Sequence, residues 1–254
     1  MLRELLAWLI TPAGGHARRL GYARDGVGIQ SRHRRCRAAW AGHLERCRTV
    51  IRRAAAEAPP GVAVVLGSGA LLDIPLADLA ARFSAVYLVD LFHPLSARRH
   101  SRRFANVFLI SHDLLGLEAG AAPEAAPAHL ADWRRRLPAA DLVVSANLLT
   151  QLPLRPRARW PDRLDAAWAT AVMAAHVADL AAGPGRACLI SEFRHRTLED
   201  GAGTEMRADV LDGLDLAPPQ ERWLWPLAPR GEIGRDLAVV LEVGVFSVGA
   251  AVNA

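Results

Sequence analysis

From residue 62 onward, short apolar runs alternate with longer amphipathic stretches, and this alternation limits the chain to few folds. The runs 62–66 (VAVVL), 85–89 (AVYLV), 107–110 (VFLI), 141–146 (DLVVSA) and 187–193 (ACLISEF) have strand length. Between them the spacing predicts helices over 72–83, 94–104, 130–137 and 163–182, and a flexible Ala/Gly/Pro-rich connection over 116–128. In the first of these helices Leu72, Leu76, Leu79 and Phe83 keep helical step. Strands that alternate with helices build βαβ units, and so a parallel sheet covered on both faces. A further helix is expected over 204–214. Two closing strands, 222–227 and 237–247, flank a loop with Pro229, Gly231 and Gly234 and predict an antiparallel hairpin.

Ahead of the alternating region, residues 1–28 read as a loose lead-in and 30–57 as one long helix. Its apolar stripe is Cys36, Trp40, Leu44, Cys47, Ile51 and Ala54, and Pro59, Pro60 and Gly61 end it. This divides the chain into an N-terminal helical extension, 1–58, and an α/β domain, 59–254. A chain of 254 residues with 52% hydrophobic content can bury such a core without cross-links. Its three cysteines, Cys36, Cys47 and Cys188, are too few for a disulfide framework and fit a reducing, cytoplasmic setting.

The formal charge of +5 invites a polyanionic partner, yet all 31 basic residues are arginine. A chain rich in Ala, Arg, Gly and Pro that lacks lysine has the composition of a GC-biased coding sequence. RNA is therefore only weakly supported as a partner, and aromatic interleaving along the Arg-rich helix is limited to Trp40. The apolar run 5–10 is too short to span a bilayer and reads as a short amphipathic helix, so no stable membrane insertion is expected.

In doubly wound sheets ligands bind beyond the carboxyl ends of the strands, where strand order reverses. Each predicted strand delivers a polar residue to that edge: Gly67-Ser68-Gly69, Asp90, His112-Asp113, Asn147, and Glu192 with His195. Asp90 lies 21 residues past Gly69, the interval at which a carboxylate can accept from both hydroxyls of a ribose. Asp113 is placed to accept from an adenine amino group, and Asn147 to meet a ligand's polar tail. Each of the three also reads as a cap or turn residue. A pyrophosphate-binding turn wants a third glycine at position 72. Leu72 stands there, which favours an adenosine ligand without a diphosphate over NAD.

In these features the chain resembles the class I S-adenosylmethionine-dependent methyltransferases. The matching pieces are VVLGSGALLD, VYLVD, FLISHD, DLVVSANLLTQLP, ACLISEF and LAVVLEVGVF, over about residues 60–250. The resemblance implies a Rossmann-like, doubly wound, mostly parallel seven-stranded sheet that ends antiparallel. It also implies S-adenosylmethionine as cofactor. Gly67, Ser68 and Gly69 would then line its methionine part, Asp90 and Leu91 its ribose, Asp113 and Leu114 its adenine. Asn147 and Leu148 would lie near the reacting methyl. The chain departs from the family at Val65, where an acidic residue is usual, and at Leu71, where the third glycine is usual.

Methyl transfer asks mainly for positioning, sometimes for a base. The candidate bases are His112, Glu192 and His195, with His93 just past Asp90. Arg194 and Arg196 beside them would suit an anionic substrate. The acceptor is a small molecule or a protein, and no metal is expected. A non-catalytic nucleoside-binding scaffold, an NAD-type oxidoreductase and an RNA methyltransferase remain open readings. The Arg-rich helix 30–57 is either a lid that brings His33 or Arg37 inward, an RNA contact, or a packed helix with solvated arginines. The proline-rich segment 152–163 predicts a loop at the ligand edge. There Trp160 is either a substrate wall or an anchor for the next helix, and Trp223 and Trp225 read as packing residues.

Overall fold

The computed structural model of the protein describes residues 15–199 and 204–248. The amphipathic helix expected over 5–10 lies outside the described residues. Five strands, β1 (Val62–Leu66), β2 (Ala85–Asp90), β3 (Val107–Ser111), β4 (Leu142–Ala146) and β5 (Arg186–Glu199), pair in parallel. With β6 (Thr204–Asp209), β7 (Glu221–Ala228) and β8 (Leu237–Phe246) they form one eight-stranded sheet. Its order is β3-β2-β1-β4-β5-β8-β7, with β6 paired to β5 off this path. β8 runs antiparallel between β5 and β7, as the predicted hairpin requires. These directions are the Rossmann-like arrangement that the resemblance implies. Strand order reverses between β1 and β4, and this opens a crevice at their carboxyl ends.

The sheet has one strand more than expected. Residues 204–209 form β6, not a helix, because β5 continues past Phe193 to Glu199 and pairs antiparallel with them, Arg194 opposite Asp209. Local helix propensity in TEMRAD yields to that ladder. The register of β5 shifts between Glu192 and Arg194, a bulge that turns the strand as it leaves the core.

Seven α-helices are described: α1 (Gly15–Arg19), α2 (Tyr22–Arg35), α3 (Arg37–Glu57), α4 (Leu76–Arg82), α5 (Leu95–Ser101), α6 (Leu154–Arg159) and α7 (Ala166–Ala182). The single helix expected over 30–57 is broken at Cys36, whose φ of −101° and ψ of 21° leave the helical range. α3 packs its predicted stripe into the core shared by β1, β4, β5 and β7. Helix α4 starts four residues later than expected, because Pro75 disfavours helical backbone at Ile74. Over 152–163 the expected loop holds helix α6, since Pro153 is its N-cap and Pro156 lies in its first turn, where no backbone donor is needed. The connection expected to be flexible over 116–128 holds short 3₁₀ turns at Leu117–Ala119 and Pro123–His129, and a further one follows at Asp132–Arg136. The last of these replaces the helix expected over 130–137. They are pinned to α7 by indole donors: Trp133 Nε1 to Asp179 at 3.0 Å and Trp168 Nε1 to the Pro123 carbonyl at 2.9 Å.

Among the described residues no helix is long and apolar enough to cross a membrane. Cys36, Cys47 and Cys188 are free and buried.

Candidate functional site

The turn after β1 is held open by backbone that leaves the ordinary range. Gly67 (φ 68°), Gly69 (φ 51°) and Leu71 (φ 60°) are all left-handed. Glycine adopts this region freely, whereas leucine does so at a cost of roughly 1–2 kcal/mol. Leu71 is nonetheless 94% buried in the main core, and that burial holds it there. The two glycines differ in what they face. A Cβ at Gly67 would come within 2.8 Å of the Leu148 side chain, whereas at Gly69 the nearest atom is 3.8 Å away. The close approach at Gly67 is thus taken by Leu148, and Gly69 is the glycine with open space.

Asp90 closes this turn from the next strand. Its Oδ2 accepts from Gly69 N–H at 2.6 Å and its Oδ1 from Leu91 N–H at 2.7 Å. Burial raises its carboxyl to about 6 against the pull of the Gly69, Leu91 and Phe92 N–H groups. At the end of β3, Asp113 Oδ1 accepts from Leu115 N–H at 2.9 Å and Oδ2 from Glu118 N–H at 2.8 Å. His112 is buried with Nε2 unpartnered, and burial lowers its imidazole pKa. Asn147 ends β4 in left-handed backbone (φ 55°) and donates to Asp73 Oδ2 at 2.8 Å.

These residues meet in one cavity of about 260 Å³ at the crevice between β1 and β4, a little below the usual range for drug-sized ligands. Gly67, Ser68, Gly69, Asp90, Leu91, His112, Asp113, Leu114, Asn147 and Leu148 all line it. Glu192 and His195 do not. Glu192 is buried and accepts from Thr150 Oγ1, with His195 Nε2 4.0 Å from the same oxygen. Arg194 is bound to Asp209 at 2.6 Å, and Arg196 lies 3.9 Å from Glu242. The pair expected to hold an anionic substrate therefore faces the protein's own carboxylates. Trp160 packs on the core and does not line the cavity.

The N-terminal helices complete the enclosure, through residues that the sequence reading did not single out. Tyr22, Asp25, Gly26 and Ile29 of α2 line the cavity, while His33 and Arg37 do not. Gly26 lets α2 lie against Phe92, since a Cβ there would sit 2.5 Å from the ring. Asp25 is ion-paired with Arg155 of α6, joining two roof elements over the crevice. Burial and the charge of Asp113 raise the Tyr22 phenol pKa. From α3 come Trp40 and His43, and from β7 comes Trp225. Trp223 and Trp225 are more than packing residues. The Trp223 indole donates to His43 Nδ1 at 3.1 Å, and Trp225 stacks on the His43 ring at 3.9 Å with 1° between planes.

His43, Cys47 and Asp73 bring three donor atoms within 4.8 Å of one another. Hydrogen bonds within the protein already engage this cluster. The Trp223 donor fixes His43 Nδ1 as acceptor and so leaves the proton on Nε2, the nitrogen 3.7 Å from Cys47 Sγ. Burial pushes the Cys47 thiol up.

Fold and site together define a Rossmann-like α/β protein with a nucleoside-sized cavity at its switch point. No protein-family model and no curated protein matches the chain. Among solved structures it is similar to the N-methyltransferase NodS from Bradyrhizobium japonicum WM9 in complex with S-adenosyl-L-homocysteine, at 15% identity over 79% of this chain and 85% of that one, TM-score 0.39. It is also similar to the 1,6-didemethyltoxoflavin-N1-methyltransferase of Burkholderia thailandensis, at 16% identity over 93% and 92%, TM-score 0.40. A DhpI–SAH complex gives 14% identity over 89% and 96%, TM-score 0.39. At these identities and scores, function has to be argued from the site itself.

Proposed function

We propose that the chain binds S-adenosylmethionine in this cavity and transfers its methyl group to a small-molecule acceptor. The observation that carries this is the convergence of four strand ends, β1 to β4, on one hollow that side chains leave open. When bound, the cofactor supplies an electrophilic methyl on a sulfonium. Asp90 lines the cavity and uses three of its four lone-pair positions on the Gly69, Leu91 and Phe92 N–H groups, so its carboxylate would take a ribose hydroxyl on the remaining one. Gly69 leaves space for the methionine part against the backbone, with the buried, unpartnered Ser68 hydroxyl beside it. Asp113 and Leu114 would receive the adenine, and Asn147 and Leu148 would flank the reacting methyl. Helix α2, tied to α6 through Asp25 and Arg155, would close over the bound nucleoside and exclude water.

The turn lacks the third glycine of a pyrophosphate cradle, so a dinucleotide is the poorer fit. Calorimetry with S-adenosylhomocysteine, NAD and ATP tests the assignment. S-adenosylhomocysteine is expected to bind at micromolar concentration, and Asp90→Ala to weaken it by about tenfold or more, the loss of a hydrogen bond to a charged acceptor. No heat with S-adenosylhomocysteine, or tighter binding of NAD, would overturn it.

A further inference from the structure

One side of the cavity has a chemistry that an adenosyl ligand does not explain. Asp73 lies there between strand β1 and helix α4, in a stretch (LLDIP) whose proline keeps it out of the helix. Its carboxylate accepts from Asn147 Nδ2 at 2.8 Å and from its own N–H. Among the described residues it has no ion-pair partner. The nearest cation, Arg48, is held by Glu45 at 3.2 Å and by the Leu72 carbonyl. Burial accordingly raises the Asp73 carboxyl pKa. A half-buried carboxylate with no ion-pair partner is costly, and a ligand that brings the cation offsets that cost.

The walls around Asp73 are flat and aromatic. Trp40 meets Trp225 edge to face at 5.0 Å, and Trp225 stacks on His43, which lies 3.4 Å from the Asn147 amide. His43 stays neutral: burial lowers its imidazole to about 3. It therefore adds no positive charge that would compete with a ligand cation. Two polar atoms of this wall are buried with no partner, Trp225 Nε1 and Asn147 Oδ1. Indole faces attract cations and stack on flat rings.

We propose that the compartment formed by Asp73, Asn147, Trp40, His43 and Trp225 binds the methyl acceptor as a protonated amine carried on a flat, apolar body. This rests on the reading of the cavity as an S-adenosylmethionine site, because Asn147 joins the compartment to the place assigned to the reacting methyl. Asp73 pairs with the ammonium group and Trp225 stacks on the body. Asp73 can also take one ammonium proton, which frees the nitrogen lone pair that a methyl acceptor needs.

The test is calorimetry on protein saturated with S-adenosylhomocysteine, using matched amine and alcohol probes: tryptamine against tryptophol, and 2-phenylethylamine against 2-phenylethanol. At least one amine should bind about tenfold tighter than its alcohol, the difference a buried ion pair makes. Asp73→Asn, which keeps an acceptor for Asn147, should abolish that preference while S-adenosylhomocysteine still binds. Trp225→Leu should weaken both members of a pair. Equal binding of amine and alcohol in both pairs, or an amine preference that survives Asp73→Asn, would overturn the inference and leave the cofactor assignment standing. Failure of S-adenosylhomocysteine to bind the unaltered protein would overturn the cofactor assignment, and this inference with it.

Discussion

Asp90 Oδ2 accepts the Gly69 N–H at 2.6 Å, so the acid at the end of β2 fixes the turn at the end of β1. One carboxylate thereby both shapes the glycine turn and faces the cavity. This dual engagement has a pH signature. The folded carboxyl titrates at about 6 against an ordinary value of 3.8. A raised folded value means that its contribution to stability is complete below the ordinary value and is lost as pH rises through about 6. The ligand-free protein should lose up to ~2 kcal/mol between pH 4 and 7 from this group, and Asp73 adds to the loss with the same sign. A ribose hydroxyl donates more strongly to the ionised carboxylate than to the protonated acid, so affinity for S-adenosylhomocysteine should rise over the same interval. Calorimetry from pH 5 to 7.5 reads the affinity, and the slope should flatten in Asp90→Asn.

The two glycines of the turn should separate stability from binding. Gly67→Ala drives a methyl group into Leu148 at left-handed φ and should destabilise by several kcal/mol. Gly69→Ala meets open space, so its cost is limited to backbone strain of roughly 1 kcal/mol. It should nevertheless weaken S-adenosylhomocysteine by about tenfold, by filling the approach left for the ligand. Thermal melts and calorimetry on the two variants measure the two effects.

Leu71 inverts a familiar order. Removing its side chain empties a core site, so Leu71→Ala should cost about 2–4 kcal/mol. Leu71→Gly removes one carbon more, yet at φ 60° it also relieves the strain. Glycine should therefore be no worse than alanine at 71, and chemical denaturation of the pair decides it.

The roof pair should matter for ligand residence and little for folding. Asp25 and Arg155 are both substantially exposed, so Arg155→Ala should change stability by less than about 1 kcal/mol. Stopped-flow should show bound S-adenosylhomocysteine leaving severalfold faster, because α2 is no longer tethered to α6.

His43 should resist protonation. Burial lowers it to about 3, and the Trp223 donor occupies Nδ1. Nitrogen-detected NMR should find the Nε2–H tautomer, unchanged down to about pH 4. A lowered folded value contributes stability that is present above the ordinary histidine range and lost as pH falls through it. Trp223→Phe should raise the imidazole pKa.

The alternation of apolar runs with helices carried most of the architecture, because buried parallel strands need continuous hydrophobic sequence on both faces. The strand ends were legible for the same reason: once β1 to β4 are placed, Gly67, Asp90, Asp113 and Asn147 fall on one edge. The second half of β5 and its partner β6 were not legible, since RHRTLE and TEMRAD become strands only through pairing with each other and with β8. Trp40 and Trp225 read as core residues, and they are buried; that they also face the cavity depends on how α3 packs on β7. Asp73 was hidden because Leu72, Leu76, Leu79 and Phe83 suggested a helix that Pro75 in fact delays. The roof was hidden because Tyr22 and Asp25 lie in a stretch that reads as a loose lead-in and that the structure folds as α2.

A crystal structure of the protein grown with S-adenosylhomocysteine decides whether this cavity is a cofactor site. The nucleoside should lie in the crevice between β1 and β4, with a ribose hydroxyl on the Asp90 carboxylate and the thioether beside Asn147. A nucleoside bound elsewhere, or an Asp90 carboxylate that stays engaged only with backbone N–H groups while the cavity is empty, would contradict it.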